Sequence, residues 1–198
     1  MRLPVLAAAV LGLALIVSPA AAKDKKPSLT PPPAAIDMTI DQDVTHDPEN
    51  VLLLDLSDGG RVAIRLKPQW APEHVARIKA LAGQGFYNGI IFHRVIEGFM
   101  AQSGDPTGTG TGGSDKPDVV AEFNAESFSR GAVGAARTND PNTFNSQFFI
   151  CFADCTFLNG QYTVFGRVVS GMEAVDKITR GEPPANPDKI ISAKIEYK

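Results

Sequence analysis

The sequence is poor in the side chains that catalyse by bonding to a substrate or a metal. It has three histidines, two cysteines and one tryptophan among 198 residues. His46, His74 and His93 lie in no recognisable nucleophile elbow or metal-binding motif. The cysteines have no histidine partner at ligand spacing, so a zinc site is not expected. These shortages disfavour nucleophilic and metal-assisted chemistry, and we expect neither a metal nor an organic cofactor.

Positive charge is also scarce. The chain carries 19 Lys and Arg against 22 Asp and Glu, a formal net charge of −3, and its basic block is limited to residues 23–26. Phosphate contacts need clustered Lys and Arg, so nucleic acid is not an expected partner.

A long apolar run is missing except near the start of the chain. The run from Leu3 to Val17 is 15 residues long, whereas a membrane span needs roughly 20. It follows Met1-Arg2 and precedes Ala20-Ala21-Ala22, a pattern typical of a cleaved export signal, with a retained signal anchor as the alternative. We expect residues 1–22 to be a signal peptide whose loss removes one positive charge, from −3 to −4. The mature chain is then expected in the periplasm or outside the cell, away from the membrane.

Proline and pattern changes divide the rest of the chain. Residues 23–48 contain five prolines among small and polar residues, a composition that favours extended chain over packed structure. We predict a flexible segment there, although residues 38–40 could add a short strand. Residues 49–198 are predicted to form one globular domain, because the chain as a whole is 43% hydrophobic and 21% charged.

Short strand patterns dominate this domain. VLLLDL and RVAIRL, separated by Ser57-Asp58-Gly59-Gly60, predict a hairpin. Helical spacing predicts one helix over Pro72–Leu81 and a second over Met172–Ile178. Six further strand-like runs follow the first helix, and no strand–helix alternation is visible. The pattern predicts a mainly β antiparallel barrel or sandwich with two helices.

Two motif-like features carry no function on this interpretation. Residues 108–113 satisfy G-x-G-x-x-G, but Ser114-Asp115-Lys116-Pro117 follows where a dinucleotide fingerprint would open a helix, so a loop is predicted. Cys151 and Cys155 are four residues apart, roughly 13 Å in extended chain and beyond disulfide reach unless the backbone turns. We favour a buried Cys151 and a Cys155 in a turn over a disulfide.

Several segments together carry a family resemblance. FHRVIEGFMAQSGD (92–105) is followed by a Gly-Thr-rich loop, AEFN (121–124), ARTNDPNTFNSQFFI (136–150) and FLNGQYTVFGRV (157–168). In order and spacing, from about Val51 onward, this resembles the cyclophilin family of peptidyl-prolyl cis-trans isomerases. The resemblance implies a closed eight-stranded antiparallel barrel capped by two α-helices, with its substrate cleft on the outer face. It also implies activity on proline-containing polypeptides. Separately, we expect a monomer, and for an exported member we expect assistance to protein folding.

The resemblance assigns roles residue by residue. Arg94 matches the catalytic arginine, Gln102 the polar residue beside it, and Gln147 the cleft floor. The remaining matches bind substrate: Phe99, Met100, Phe149 and Leu158 in the proline pocket, Ala136 and Arg137 in the strand that pairs with the peptide, and Phe157 and Tyr162 where better-known eukaryotic members often have tryptophan and histidine.

The chemistry makes sense of these residue types. Rotation of an X-Pro bond must overcome about 18–20 kcal/mol of amide resonance, and no bond is made, so no nucleophile is needed. An apolar pocket would hold the proline ring. A fixed guanidinium would donate to the proline carbonyl and toward the prolyl nitrogen, most strongly in the twisted state. Strict alternation would place Phe92, Arg94 and Ile96 on one face, opposite His93.

Two other interpretations stay open at this level. A catalytically silent peptide-binding module or chaperone would retain the pocket without needing Arg94. A structural barrel would have neither function, and its aromatic strand residues would simply pack a core.

Overall fold

The computed structural model describes residues 40–196. The predicted signal peptide and most of the proline-rich segment lie outside the described residues. Eight strands form one antiparallel sheet in the spatial order β3-β4-β6-β5-β7-β2-β1-β8. The strands are β1 Val51–Leu56, β2 Arg61–Leu66, β3 Arg94–Ile96, β4 Met100–Ser103, β5 Ala132–Ala135, β6 Phe148–Cys151, β7 Val164–Ser170 and β8 Ile190–Ile195.

The sheet curls into a barrel that is only partly closed. Its outer strands, β3 and β8, do not form a ladder with each other. Instead the irregular chain before β3 meets the chain entering β8, through a bridge between Ile91 and Lys189 and a 2.8 Å hydrogen bond from the Phe92 amide to the Asp188 carbonyl. The predicted mainly β fold, with eight antiparallel strands and two helices, is confirmed. The predicted closure of the barrel is not complete, because regular strand pairing stops at this seam.

The first two strands form the predicted hairpin, with Asp55 opposite Arg61 across the turn. Alternate residues of these strands, such as Leu52, Leu54 and Ile64, enter the barrel core as the two-residue period of a strand requires. The core is filled by side chains from every wall of the barrel and from both helices, including Leu56, Val62, Leu66, Val95, Ala101, Val133, Phe148, Ile150, Phe165, Val175 and Ala193.

Helix α1 spans Pro72–Gly83 and buries Val75, Ile78 and Leu81 against the barrel. Proline suits the first helical turn because the amide it lacks would have no partner there. The Glu122 carboxylate caps the helix from a distant loop by accepting the amides of residues 73 and 74, at 3.2 and 3.0 Å. Within residues 40–196, no helix is long and apolar enough to cross a membrane.

Helix α2 is shorter than predicted, since it spans Met172–Val175 and only turns continue to Ile178. The apolar spacing over Met172–Ile178 reflects burial of Val175 and Ile178 in the core rather than continuous helix. Both cysteines are buried and free: Cys151 lies in β6, and Cys155 lies in the turn before a 3-10 helix over Thr156–Leu158.

Residues 41–47 are fastened to the barrel by Arg65 of β2, whose side chain is 3% exposed. Its guanidinium donates to four backbone carbonyls, those of Asp41 (3.3 Å), Asp43 (2.6 Å), His46 (2.7 Å) and Asp47 (3.0 Å). Carbonyl oxygens that accept from one fixed guanidinium define the path of the chain. Residues 41–48, the end of the segment predicted to be flexible, are therefore packed.

The same segment covers apolar surface outside the barrel. Val51, Leu53 and Ala63 form a small buried cluster there, and Val44 packs against it. This explains why VLLLDL is apolar on both faces instead of alternating. The packed chain begins before residue 49, the predicted domain boundary.

We expect Arg65→Met to lower the free energy of unfolding by about 2–4 kcal/mol, because several carbonyls lose a charged donor. The chain over residues 41–47 should also become sensitive to limited proteolysis. Urea denaturation and mass spectrometry of the fragments measure the two effects. Arg61→Met on the same strand is the matched control, since its exposed pair with Asp55 is worth about 0–1 kcal/mol. Equal stability losses in the two variants would contradict this role for Arg65.

Candidate active site

One row of side chains crosses the outer face of the sheet. Arg94 on β3 lies opposite Gln102 on β4, Gln102 lies opposite Phe149 on β6, and Phe149 lies opposite Gly134 on β5. Directly opposed residues of neighbouring strands share a face. The register thus brings a cation, an amide and an aromatic ring together on the outside of the barrel.

The start of β4 settles how two consecutive residues can serve one pocket. Alternation would send Phe99 and Met100 to opposite faces. Strand β4 begins at Met100, and Phe99 belongs to the turn before it. Phe99 packs against the same outer hydrophobic cluster that contains Met100.

The predicted residues line one cavity of about 290 Å³ on this face. Ten of the eleven contribute to its wall: Arg94, Phe99, Met100, Gln102, Ala136, Arg137, Phe149, Phe157, Leu158 and Tyr162. The eleventh, Gln147, lines an adjoining cavity of about 510 Å³ that shares Gln102, Ala136 and Arg137. The structure therefore places all eleven in one continuous cleft, while their roles stay predictions.

The floor of the cleft is apolar and buried. Met100, Phe149 and Leu158 are 1%, 5% and 8% exposed, and Phe149 stacks on Phe128 with ring centroids 5.6 Å apart. Gly134 beneath these rings was missed by the sequence analysis. A Cβ atom there would lie 2.5 Å from both rings, so only glycine lets them pack against the strand.

The 3-10 helix over Thr156–Leu158 forms one rim of the cleft. It directs Leu158 into the apolar floor and leaves Phe157 62% exposed. The Phe157 ring packs against Phe99 with centroids 5.3 Å apart. This rim therefore offers an aromatic surface without the hydrogen-bond donor that tryptophan would supply.

The polar side of the cleft is a chain of amide contacts. Gln147 Nε2 donates to the Gly110 and Gly112 carbonyls at 3.1 and 2.8 Å. Gln102 Nε2 donates to Gln147 Oε1 at 2.9 Å, and Arg94 Nη1 donates to Gln102 Oε1 at 3.5 Å. Both glutamine amides therefore have defined orientations, and the last oxygen in the chain faces the arginine.

Arg94 has a second neighbour that the sequence analysis missed. Its Nε lies 2.9 Å from Oε1 of Glu182, and the two side chains are 44% and 51% exposed. The Glu182-Pro183-Pro184 stretch lies in a loop, and no spacing in the sequence links it to residue 94.

The remaining cleft residues lie just beyond β5. The Ala136 amide donates to the Gln147 carbonyl at 3.0 Å. Arg137 donates through Nη2 to the Gln161 carbonyl at 2.9 Å, and its guanidinium carbon lies 4.1 Å from the ring centroid of Tyr162. Arg137 is therefore held over an aromatic ring at the cleft wall.

The Gly-Thr-rich loop is organised by Asp105, which is buried. Its carboxylate accepts the amides of Thr107, Gly110 and Gly112 at 2.7, 2.6 and 3.1 Å. Burial acts to raise the pKa of Asp105, but the hydrogen bonds from Thr107, Gly112 and Gly110 outweigh it and lower the pKa to about 2. The loop prediction for residues 108–113 is confirmed, and this loop supplies the carbonyls that hold Gln147.

One expectation around Arg94, that Phe92 would share its face, was wrong. Phe92 lies in the barrel core with Val95, because the chain before β3 is irregular and alternation does not extend through it. His93 is buried, which lowers its pKa, and within residues 40–196 neither ring nitrogen has a hydrogen-bond partner. In the same residues no three His, Cys, Asp or Glu side chains cluster as metal ligands.

Comparisons with known proteins match this chain to peptidyl-prolyl cis-trans isomerases. Residues 51–195 match the model of the family described as cyclophilin type peptidyl-prolyl cis-trans isomerase/CLD. The "Probable peptidyl-prolyl cis-trans isomerase" of Brucella suis biovar 1 is 56% identical over 166 residues, which cover 76% of this chain and 84% of the relative. A "Peptidyl-prolyl cis-trans isomerase" of Helicobacter pylori is 43% identical over 126 residues, 62% of this chain and 77% of the relative.

Solved structures of cyclophilins are similar to this chain as well. The cyclophilin AquaCyp293 from Hirschia baltica superposes with a TM-score of 0.70 at 32% identity, covering 75% of this chain and 74% of that one. A Cryptosporidium parvum cyclophilin type peptidyl-prolyl cis-trans isomerase, crystallised in the presence of the dipeptide Ala-Pro, has a TM-score of 0.69 at 28% identity, covering 75% and 99%. The chain belongs to the cyclophilin-type peptidyl-prolyl cis-trans isomerase family. It is an enzyme that accelerates the cis–trans rotation of X-Pro bonds.

Asp105→Asn should lower the free energy of unfolding at neutral pH by about 2 kcal/mol, because a carboxylate with a pKa near 2 is stabilised by folding relative to its usual value of about 3.9. A lowered folded-state pKa contributes stability above about pH 4 that is lost as the pH falls through about 2. The stability difference between parent and variant should therefore shrink over that window in urea titrations.

The matched control is Asp115→Asn in the same loop, where the side chain is exposed. Its difference from the parent should stay small across the same pH range. A pH-independent difference for Asp105→Asn would contradict the assignment.

The rim of the cleft predicts weak inhibition by cyclosporin. In the family the tryptophan indole donates a hydrogen bond to that drug, and Phe157 has no donor. One lost hydrogen bond costs about 0.5–1.5 kcal/mol, roughly tenfold in affinity at the upper end. Phe157→Trp should lower the inhibition constant by that factor with isomerase activity intact, as measured by inhibitor titration. Tight inhibition of the parent would refute the prediction.

Proposed function

We propose that Arg94 is the catalytic residue of this isomerase and that its substrates are exported polypeptides whose X-Pro bonds limit folding. The observation that carries the proposal is the juxtaposition, in one cavity, of an apolar floor and a guanidinium held at its edge. The floor suits a proline ring, and the guanidinium suits the carbonyl beside it.

The proposed mechanism needs no covalent step. The proline ring would enter the pocket of Phe99, Met100, Phe149 and Leu158, which excludes water and fixes the ring while the preceding carbonyl rotates. Arg94 would donate to the proline's own carbonyl and toward the prolyl nitrogen. That nitrogen regains its lone pair only when resonance is broken, so the interaction is strongest in the twisted state and lowers the barrier.

Extended polypeptides are the proposed substrate class because the cleft is longer than one residue. The adjoining cavity continues past Gln147 along the Gly-Thr-rich loop, with room for chain that flanks the proline. The Cryptosporidium relative crystallised with Ala-Pro supports recognition of proline next to a small residue. Binding by shape and by backbone contacts would tolerate many client sequences, and we propose that the enzyme acts as a monomer.

Export is proposed from the N-terminal pattern. A positive start, a short apolar run and small residues before Lys23 are typical of a signal peptide. Isomerisation takes tens to hundreds of seconds without a catalyst, so an exported isomerase would speed the folding of proteins after translocation.

Arg94→Ala should lower kcat/KM by roughly ten- to a thousandfold in a protease-coupled assay on a short X-Pro peptide. A charged hydrogen bond made in the transition state is worth about 1.5–4 kcal/mol. The thermal midpoint should barely change, because the side chain is 44% exposed. Arg94→Lys should rescue only in part, since an ammonium lacks the planar fork of a guanidinium.

The matched control for this test is Arg61→Ala, which removes another strand arginine, paired with Asp55 and outside the cleft lining, and should leave the rate unchanged. A folded Arg94→Ala protein within about twofold of the parent rate would refute the catalytic role. It would favour a peptide-binding module on the same fold.

For export, we expect the mature protein to begin at Lys23. Intact-mass spectrometry of protein recovered from the periplasm or the medium measures this directly. Expression of a variant with Ala20 and Ala22 replaced by bulky residues should leave the precursor uncut, because signal peptidase requires small residues there. A recovered protein that retains Met1 would contradict the proposal.

A further inference from the structure

The loop after α2 is joined to the outer edge of β3. The Val95 amide donates to the Gly181 carbonyl at 2.8 Å, and the Gly181 amide donates to the Val95 carbonyl at 2.9 Å. This antiparallel bridge makes Arg94 and Glu182 cross-strand neighbours, since each lies one residue from a bridged partner in opposite directions. The position of Glu182 beside Arg94 thus follows from backbone pairing.

The loop is fastened next to this bridge by Arg180. Arg180 Nε donates to Glu97 Oε2 at 2.6 Å, and the Arg180 guanidinium carbon lies 4.1 Å from the Phe152 ring centroid. At Gly181 the φ angle is 147°, and a Cβ there would lie 2.5 Å from Pro184 Cα, so the chain is tightly packed on itself. Glu182 is therefore presented by a fixed backbone.

Glu182 meets Arg94 away from the substrate cavity. Its carboxylate pairs with Nε at 2.9 Å, while Gln102 accepts from Nη1 at 3.5 Å. Arg94 lines the cleft and Glu182 does not. Within residues 40–196, the guanidinium makes one hydrogen bond, from Nη1, and its contact with Glu182 at Nε is an ion pair, so Nη2 is left available to a substrate carbonyl.

We propose that Glu182 is a positioning residue for the isomerase reaction. It holds the Arg94 guanidinium from its Nε side so that the terminal nitrogens face the cleft. Together with the hydrogen bond to Gln102, this ion pair restricts the guanidinium from two directions, which reduces the freedom that Arg94 would otherwise lose in the transition state. The proposal rests on the catalytic role proposed for Arg94.

The expected effect is modest because the ion pair is about half exposed. Glu182→Ala should lower kcat by about two- to fivefold, the range of a solvent-exposed ion pair, with KM nearly unchanged because Arg94 acts mainly on the twisted state. Glu182→Gln keeps the shape and an acceptor oxygen, so it should retain more activity than Glu182→Ala. Both variants should unfold near the parent temperature.

Glu97→Gln is the matched control. It removes a carboxylate that pairs with Arg180 on the same loop and lies outside the cleft lining, so it changes the charge and loop anchoring without touching Arg94. It should keep the parent kcat. A kcat equal to that of Glu182→Ala would assign the effect to the loop and overturn the proposal, as would a parent-like or raised kcat for Glu182→Ala.

A double-mutant cycle and an NMR measurement complete the test. Glu182→Ala should have no further effect in an Arg94→Ala background, and an equal loss in both backgrounds would overturn positioning through Arg94.

If Arg94→Ala itself kept the parent rate, the catalytic assignment would fail separately. The ¹⁵N-edited Nε–H signal of Arg94 then still decides whether Glu182 holds it: a shift in Glu182→Gln supports the pairing, and an unchanged signal refutes it.

Discussion

The site depends on the antiparallel register that places β4 between β3 and β6. This register sets Arg94 opposite Gln102 and Gln102 opposite Phe149, all on the outer face. Side chains alternate along a strand, so a slip of one residue would send the whole row into the barrel. The positions of the cation, of the amide that contacts it and of the aromatic floor therefore all depend on this one register.

Two hydrophobic clusters on opposite faces of the same sheet fix that register. The barrel core takes residues such as Val95, Ala101 and Ile150, while the outer cluster takes their sequence neighbours Met100 and Phe149. Strands buried on both faces have little freedom to slide. The apolar floor of the cleft is thus part of the packing that stabilises the fold, and Gly134 is the small residue that lets its rings lie flat.

The polar half of the cleft is built on fixed backbone. The Asp105 carboxylate accepts hydrogen bonds from the amides of its loop, and the loop carbonyls accept from Gln147. Gln147 in turn accepts from Gln102, which accepts from Arg94. A reaction without covalent intermediates relies on such preorganisation, because the barrier falls only if the donor is in place before the amide twists.

By itself the sequence determined the first hairpin, the start of α1 and the aromatic, amide and arginine residues of the cleft. Those features depend on local periodicity, turn residues and motif order, which are written along the chain. Only the tertiary structure decided the seam of the barrel, the packing of residues 41–47 on Arg65, the space left by Gly134 and the pairing of Arg94 with Glu182. Each of these joins residues far apart in sequence, and their contact depends on strand order and register, which local pattern does not encode.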